Sequence, residues 1–387
     1  MGHHHAPPGL GEPHHFAHEH PAALAGSPER QALHLSGVLL PEGEHRDLWI
    51  ADGLIHSEPI RDAVTIATGV WLMPGLVDAH CHVGLAKHGG VDRPTAEAQA
   101  MADRDAGTLL IRDAGSPIDT HWIDERQDLP RIIRAGRHIA RTKRYIRNYA
   151  VEVEPKELVA EVERQARRGD GWVKLVGDWI NRKTGDLGPL WTVEVATAAI
   201  TRAHELGARV TAHCFDERSV HELVRCGIDG IEHGTGLDDA TIALMAERGV
   251  ALVPTMINLE NFPGFADAGE AKFPAYAAHI RALHARRFET IGKAIDAGVG
   301  VFAGTDAGGT LAHGLIAQEI ALLARMGGAD HALGAASWRA RHWLGADAIC
   351  DGASADLVVY DADPRQDLGV VAAPRLVILR GRVVHRS

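Results

Sequence analysis

Long apolar runs, an excess of basic residues and closely spaced cysteines are all missing from this sequence of 387 residues. No run reaches the roughly 18 apolar residues that a membrane-spanning helix needs, and no secretory signal pattern opens the chain. The formal charge of −11 argues against nucleic acid as a partner, because phosphate binding needs a basic face. Four scattered cysteines are too few for a disulfide scaffold. These absences predict a cytoplasmic protein with neither a nucleic-acid nor a membrane partner.

Residues 1–30 differ in composition from the rest of the chain. Seven histidines lie between Met1 and Pro21, among prolines and glycines, and the segment has no periodicity and little to bury. We therefore expect a disordered or loosely attached tail. The run Gly2-His3-His4-His5 is compatible with the remnant of a purification tag or with a native tail that scavenges metal.

Short strand-like segments occur near both ends of the chain. Residues 32–40, 47–55 and 64–67 form one group, and residues 355–364 and 374–384 form the other. Short strands need partners to satisfy their edges. We therefore expect one small β-sandwich domain built from 31–72 and 347–387.

Between these groups, in residues 73–346, apolar runs of strand length alternate with helical stretches. This alternation is typical of repeated βα units and a parallel sheet, and eight strands are the count of a (β/α)8 TIM barrel. Helices predicted over 194–206 and 239–248 stop at Gly207 and Gly249. The candidate barrel strands are 76–82, 108–113, 131–135, 173–177, 209–213, 230–233, 251–255 and 300–305.

Residues able to bind metal close several of these strand-like runs. His80 and His82 end the first run, and because side chains alternate along a strand they point to the same side while Cys81 points away. Cys81 and Cys214 should then be small buried hydrophobes against the outer helices. A single histidine is more often an ordinary core or surface residue, but catalytic groups in such barrels gather at strand C-termini. The other candidates are Lys174, His213, His233 and Asp306.

In this order, the six residues resemble the amidohydrolase superfamily. Neutral imidazole and carboxylate suit zinc and similar ions, so His80, His82 and Asp306 are expected to hold one divalent ion, and His213 and His233 a second. The resemblance implies that Lys174 is N-carboxylated and bridges the two ions. It also implies a metal-bridging hydroxide as nucleophile, with Asp306 moving its proton to the leaving group.

Further motifs narrow the resemblance to one branch. Thr305-Asp306-Ala307-Gly308, His313-Gly314 and a following helix with Glu319 resemble prolidase-like dipeptidases and imidazolonepropionase-like proteins. Two segments depart from that pattern: 175–179, where the branch more often has small residues, and the basic stretch 141–147. Both are expected on loops of the catalytic face, so the departures concern the substrate.

The basic stretch suggests what the substrate carries. Arg141, Lys143, Arg144 and Arg147 follow the third barrel strand in an otherwise acidic chain, and an arginine fork binds a carboxylate by two parallel hydrogen bonds. The alternative is a solvated helix start whose charges pair with nearby glutamates. The candidate substrate residues are His138, Arg141, Arg144, Tyr145 and His313.

The sequence thus predicts a metal-dependent amidohydrolase that cleaves an amide C–N bond of a small molecule, with a dipeptide or N-acyl amino acid favoured. A cyclic amide, a lactone or a phosphotriester is the alternative, because a metal-bound hydroxide can attack any of these. A non-catalytic metal-binding protein is the alternative from another class. A homo-oligomer is left open.

Overall fold

The computed structural model describes residues 31–346 and 348–387. The tail expected in residues 1–30 therefore lies outside the described residues. The described helices are α1 (Arg93–Asp105), α2 (Leu158–Arg168), α3 (Val193–Glu205), α4 (Glu217–Arg225), α5 (Asp239–Arg248), α6 (Met256–Leu259), α7 (Phe262–Glu270), α8 (Pro274–Asp296), α9 (Ile316–Ala335) and α10 (Trp338–Trp343). None of them is long and apolar enough to cross a membrane.

Strands come from all parts of this described chain. They are β1 (Leu33–Leu39), β2 (Glu44–Ala51), β3 (Leu54–His56), β4 (Val64–Pro74), β5 (Leu76–Cys81), β6 (Leu85–Ala86), β7 (Gly89–Gly90), β8 (Thr108–Asp113), β9 (Arg131–Arg134), β10 (Ile139–Arg141), β11 (Val151–Val153), β12 (Trp172–Val176), β13 (Asp178–Asn181), β14 (Asp186–Pro189), β15 (Arg209–Cys214), β16 (Gly230–His233), β17 (Ala251–Val253), β18 (Leu357–Tyr360), β19 (Leu376–Leu379) and β20 (Arg382–Arg386).

Strands from both ends of the chain share one sheet. Its order is β20-β19-β18-β4-β1-β2-β3, and β4 pairs in parallel with β1 and antiparallel with β18. Its core includes the fully buried Leu35, Leu72, Leu357 and Ile378. The predicted pairing of the two ends is confirmed. The predicted β-sandwich is not confirmed, because these strands hydrogen-bond into a single seven-stranded sheet.

The middle of the chain is a parallel β/α arrangement of the TIM-barrel type. Strands β10, β12, β15, β16 and β17 are consecutive neighbours in one sheet, and β5, β8 and β9 form another. Seven of the eight predicted strands are found within about two residues of their predicted bounds. In this layout the C-terminal ends of parallel strands lie at the same edge, where ligands bind in such folds.

The eighth predicted strand, 300–305, is not a regular strand. It lies between the two sheets, with hydrogen bonds from Leu252 N to Gly300 O (2.9 Å) and from Ala79 N to Ala303 O (2.8 Å). Only isolated bridges form, at Val301 and Ala307. The ladder breaks because Asp306 has a φ of 59°, which turns the backbone out of the extended conformation.

Helix ends follow the sequence signals. Helix α5 begins where the Asp238 side chain accepts a hydrogen bond from Thr241 N (2.7 Å), and it ends at Gly249 with a φ of 67°. Only glycine adopts that left-handed conformation easily, so the helix stops there. Cys81 and Cys214 are fully buried, as predicted, and Cys81 belongs to a core cluster with Ala96 and Ala100 of α1.

Candidate metal centre

Two histidines and an aspartate converge at the end of β5. His80 Nε2 lies 3.3 Å from His82 Nε2, and Asp306 Oδ1 lies 3.2 Å and 3.0 Å from these two nitrogens. Bonds of about 2.0–2.1 Å to a tetrahedral zinc ion would place ligand atoms roughly 3.3 Å apart. The three side chains therefore have the chemistry and spacing of a metal site.

In both His80 and His82, the Nδ1 atom has a hydrogen-bond partner that orients the ring. His80 Nδ1 lies 2.6 Å from Glu232 Oε2, and His82 Nδ1 lies 2.7 Å from the carbonyl oxygen of Gly115. A ring that donates from Nδ1 keeps its lone pair on Nε2, the atom that faces the other ligands. The two partners therefore prepare both rings for metal binding.

Glu232 contacts the candidate ligand His80, although the sequence analysis did not single it out. It is fully buried, and its Oε1 accepts hydrogen bonds from Arg112 Nη2 (2.6 Å) and from the Thr211 hydroxyl. Burial alone would raise the pKa of Glu232, but Arg112, Lys174 and His80 hold it well below its usual range. The only sequence signal was the presence of opposite charges in two apolar strands, β8 and β16.

Asp306 is held at both of its oxygens. Oδ1 faces the two histidines, and Oδ2 accepts a hydrogen bond from Asn258 Nδ2 (2.7 Å). Burial would raise the pKa of Asp306, but His80 and His82 keep it well below its usual range. Asp306 is therefore a carboxylate in this arrangement, as a metal ligand must be.

Lys174, His213 and His233 lie beside this first group. The His233 ring centroid is 4.7 Å from that of His213 and 5.4 Å from that of His80. Lys174 is 2% exposed, and neither its Nζ nor His213 Nε2 has a hydrogen-bond partner among the described residues. His213 Nε2 lies 3.6 Å from Asp178 Oδ1, too far for a good hydrogen bond. A buried polar atom without a hydrogen-bond partner costs free energy. The two unpartnered atoms are therefore consistent with a bound group that contacts them.

Burial also lowers the pKa of Lys174, to about 8, although the Glu232 and Asp306 carboxylates act in the opposite direction. A lysine with this pKa is neutral in about one tenth of the molecules at pH 7, far more than with the ordinary value of about 10.4. The neutral amine is the form that reacts with CO2, so its environment suits the carbamate that the resemblance implies.

His138 and Tyr145 border these candidate ligands. The His138 ring is 1% exposed and stacks on His82 at a centroid distance of 5.1 Å, and neither ring nitrogen has a partner among the described residues. The Tyr145 ring lies 5.6 Å from His138 and 5.7 Å from His213. Trp179 packs on Tyr145 at 4.8 Å. The wall beside the ligands is therefore largely aromatic.

The basic stretch 141–147 includes Tyr145 of this wall. Arg144 Nη2 donates to the carbonyl oxygens of Trp179 (3.0 Å) and Gly188 (3.3 Å), which ties the stretch to the β13–β14 hairpin. The Arg141 side chain makes no hydrogen bond or ion pair with the described residues, although its carbonyl oxygen accepts from Arg144 N at 2.9 Å. The alternative of pairing with nearby glutamates is not seen either: Glu152 accepts from the Lys143 backbone nitrogen (2.9 Å) instead.

His313 lies with a different group of residues. Its Nδ1 is 2.8 Å from Asp103 Oδ2 of α1, and the other Asp103 oxygen accepts from Gly314 N (2.8 Å). Asp103 and His313 are also close to Cys81, which points away from the side that His80 and His82 share. The structure thus brings His138 and Tyr145 near the candidate ligands and places His313 behind β5. Arg141 and Arg144 are not among the residues that contact these ligands in the part of the chain that the structure describes.

Comparisons with known proteins found a matching family model and related chains. The model of the amidohydrolase family matches residues 71–384. An uncharacterized protein of Mycobacterium tuberculosis is 60% identical over 352 residues, which cover 90% of this chain and 95% of that protein. Ochratoxinase of Aspergillus niger is 26% identical over 231 residues, which cover 57% of this chain and 47% of ochratoxinase.

A solved structure is similar over nearly the whole chain. The crystal structure of a Xaa-Pro dipeptidase with bound methionine in the active site has a TM-score of 0.78 and 22% identity, and covers 92% of this chain and 100% of its own. At this identity the likeness is one of fold.

Proposed function

Because this chain belongs to the amidohydrolase family, we propose that it is a metal-dependent hydrolase that cleaves an amide C–N bond of a small molecule, a dipeptide or an N-acyl amino acid. The observation that carries the proposal is the convergence of His80 Nε2, His82 Nε2 and Asp306 Oδ1 within 3.3 Å of one another. The name of the similar dipeptidase supports the choice of substrate class.

The ligand set has places for two divalent ions, with zinc the expected metal. His80, His82 and Asp306 would hold the first, His213 and His233 the second, and N-carboxylated Lys174 would bridge them. Such ions, when bound, lower the pKa of a shared water toward neutrality and polarise the scissile carbonyl. The unpartnered Lys174 Nζ and His213 Nε2 support this assignment.

The protein's own groups then position the substrate and move the proton. Asp306 takes a proton from the nucleophile and delivers it to the leaving nitrogen, which departs as a neutral amine. His138 is neutral, because burial lowers its pKa well below the usual range, and it keeps one N–H to donate to the substrate. Tyr145 and Trp179 form the apolar wall of the pocket.

We further propose that residues 73–346 close into a (β/α)8 barrel around these groups, with 31–72 and 347–387 as a separate terminal domain. The hydrogen bonds by which 300–307 joins β17 to β5 support the closure.

Metal analysis followed by a substrate screen tests the function. The screen contains dipeptides, N-acyl amino acids, cyclic amides, lactones and phosphotriesters. We expect about two divalent ions per chain and preferred hydrolysis of the first two classes. Preference for lactones or phosphotriesters would replace the substrate class, and metal binding without hydrolysis of any compound would leave a non-catalytic metal-binding protein.

A further inference from the structure

Three successive strand ends carry a residue other than glycine in the left-handed conformation. His233 at the end of β16 has a φ of 69°, Thr255 after β17 has 48°, and Asp306 after 300–305 has 59°. Such residues are uncommon, and they cluster where surrounding contacts hold the backbone in place. Two of the three are candidate metal ligands, and Thr255 follows β17, which comes between them in the chain.

The turn after β17 contacts the ligands on both sides of it. The Thr255 hydroxyl lies 2.7 Å from His233 Nδ1, and Asn258 Nδ2 donates to Asp306 Oδ2 at 2.7 Å. Within the turn, the carbonyl oxygen of Thr255 accepts from Asn258 N at 2.8 Å. One short segment, 255–258, therefore orients a ligand of each of the two expected ions.

A buried glutamate side chain anchors this turn from the other side. Glu319 of α9 is fully buried, and its two oxygens accept from Met256 N (2.9 Å) and Ile257 N (2.8 Å). The Asn258 amide is fixed as well, because its Oδ1 accepts from Asn261 Nδ2 at 3.2 Å. With Oδ1 occupied in this way, Nδ2 is the atom that faces Asp306.

We propose that Thr255 and Asn258 are positioning residues for the metal centre: Thr255 orients His233, and Asn258 holds one oxygen of Asp306 so that the other faces His80 and His82. Glu319 keeps the turn that carries both residues in place. A carboxylate with both oxygens free can rotate or chelate, whereas the Asn258 contact leaves one oxygen for the ion. The inference rests on the proposed metal-dependent function.

Two measurements test these roles without using activity. The first is metal affinity, determined by competition with a zinc chelator, and the second is the visible spectrum of the cobalt(II)-loaded protein. Thr255→Val is isosteric and lacks the hydroxyl, whereas Thr255→Ser keeps it. We expect Thr255→Val to bind one ion about 10–100-fold more weakly, the usual scale for losing such a contact, and Thr255→Ser to stay close to wild type. Asn258→Ala should lower the affinity for the other ion by a similar factor and change the cobalt spectrum.

Glu319→Gln is the second route to the same conclusion, because it disturbs the turn without touching a ligand. It should lower the affinity of the protein for both ions. Asn181→Ala, on the β13–β14 hairpin, is the matched control and should keep wild-type affinity. Wild-type affinities in Thr255→Val and Asn258→Ala, or equal losses in Thr255→Val and Thr255→Ser, would overturn the positioning role alone. A wild-type protein that binds no divalent ion would overturn this role and the proposed function together.

Discussion

His80 and Glu232 form a buried pair in which Nδ1 and Oε2 lie 2.6 Å apart. Because Glu232 is itself bound by Arg112 at 2.6 Å, the ring of His80 is oriented by a chain of charged groups that begins inside the strand layer. The Nε2 lone pair is therefore directed at His82 and Asp306 before any ion arrives. Preorganisation of this kind favours tight metal binding.

Removing His80 or His82, the two candidate ligands of β5, should remove metal. We expect His80→Ala and His82→Ala to lose activity and at least one ion per chain, because each ring supplies one of three converging ligand atoms. His342→Ala, at an exposed position on α10, is the control and should keep both ions. Elemental analysis of the purified proteins makes the measurement. Full metal content in the double variant, with both His80→Ala and His82→Ala, would refute the assignment of these histidines as ligands.

Lys174 should be irreplaceable by arginine. We expect Lys174→Ala to be nearly inactive, and short carboxylic acids in the buffer to restore part of the activity by occupying the place of the carbamate. Lys174→Arg should stay inactive with or without them, since guanidinium remains charged and cannot become a carbamate. Turnover with and without added acid provides the measurement, and an active arginine variant would contradict the bridging role.

Asp306→Asn separates metal binding from proton transfer. The amide is isosteric and still offers a weak ligand oxygen, but it cannot accept the nucleophile's proton. Turnover should fall by roughly two or more orders of magnitude, the usual scale for losing an acid/base group, while the fold is kept. Steady-state kinetics and circular dichroism are the measurements, and wild-type turnover would rule out the shuttle.

Recognition of a substrate carboxylate can be tested on matched compounds. A cleaved dipeptide or N-acyl amino acid is compared with its C-terminal amide, in wild type and in Arg141→Ala, Arg144→Ala and Arg147→Ala. If the basic stretch binds the carboxylate, the amide should be a poorer substrate and at least one substitution should raise KM.

Arg144→Ala needs a melting curve beside its kinetics, because Arg144 also binds two carbonyl oxygens of the β13–β14 hairpin. Equal hydrolysis of acid and amide, with unchanged KM in all three variants, would show that the stretch is only surface.

The pH dependence of stability should reveal the ion pairs of His279 on α8. Hydrogen bonds with Glu217 and Asp186 raise the pKa of His279 to about 9. A raised histidine pKa adds stability that is complete below the unfolded value of about 6.5 and is lost as pH rises through 9. The free energy of unfolding of the wild type should therefore exceed that of His279→Gln by about 1 kcal/mol at pH 6, since partly exposed ion pairs contribute on this scale.

That margin should shrink between pH 6.5 and 9. Urea unfolding of both proteins across this range makes the comparison, and other titrating groups cancel in the difference. A margin that is constant with pH would contradict the charged state of His279.

Strand alternation made the ligand candidates predictable, because it needs only local spacing: His80 and His82 two residues apart, and His213 and His233 at strand ends. Their partners were not predictable. Glu232, Arg112 and Asn258 act across strands that are distant in sequence, and which strands face one another is decided by tertiary packing. His313 had a motif in its favour, but the side of β5 that it occupies depends on where α1 lies.

The fold, too, was only partly predictable from the sequence. Residues 300–305 look like a strand by composition, yet a Cβ at Gly304 would lie 2.7 Å from His80 Cβ, and Asp306 turns the chain. Close approach and a left-handed residue leave isolated bridges where a ladder was expected. The terminal strands were recognisable singly, whereas their union into one sheet depends on β4 pairing on both of its edges.

The pairing of β4 with β18 also bears on how the protein is made. Leu72 of β4 faces Val359 of β18, so one edge of β4 has no partner until the ribosome has synthesised almost the whole chain. An unpaired strand edge is a template for association with other chains. Truncation before residue 357 would leave that edge open permanently, so shortened forms of this protein should be recovered as aggregates even though every candidate metal ligand is present.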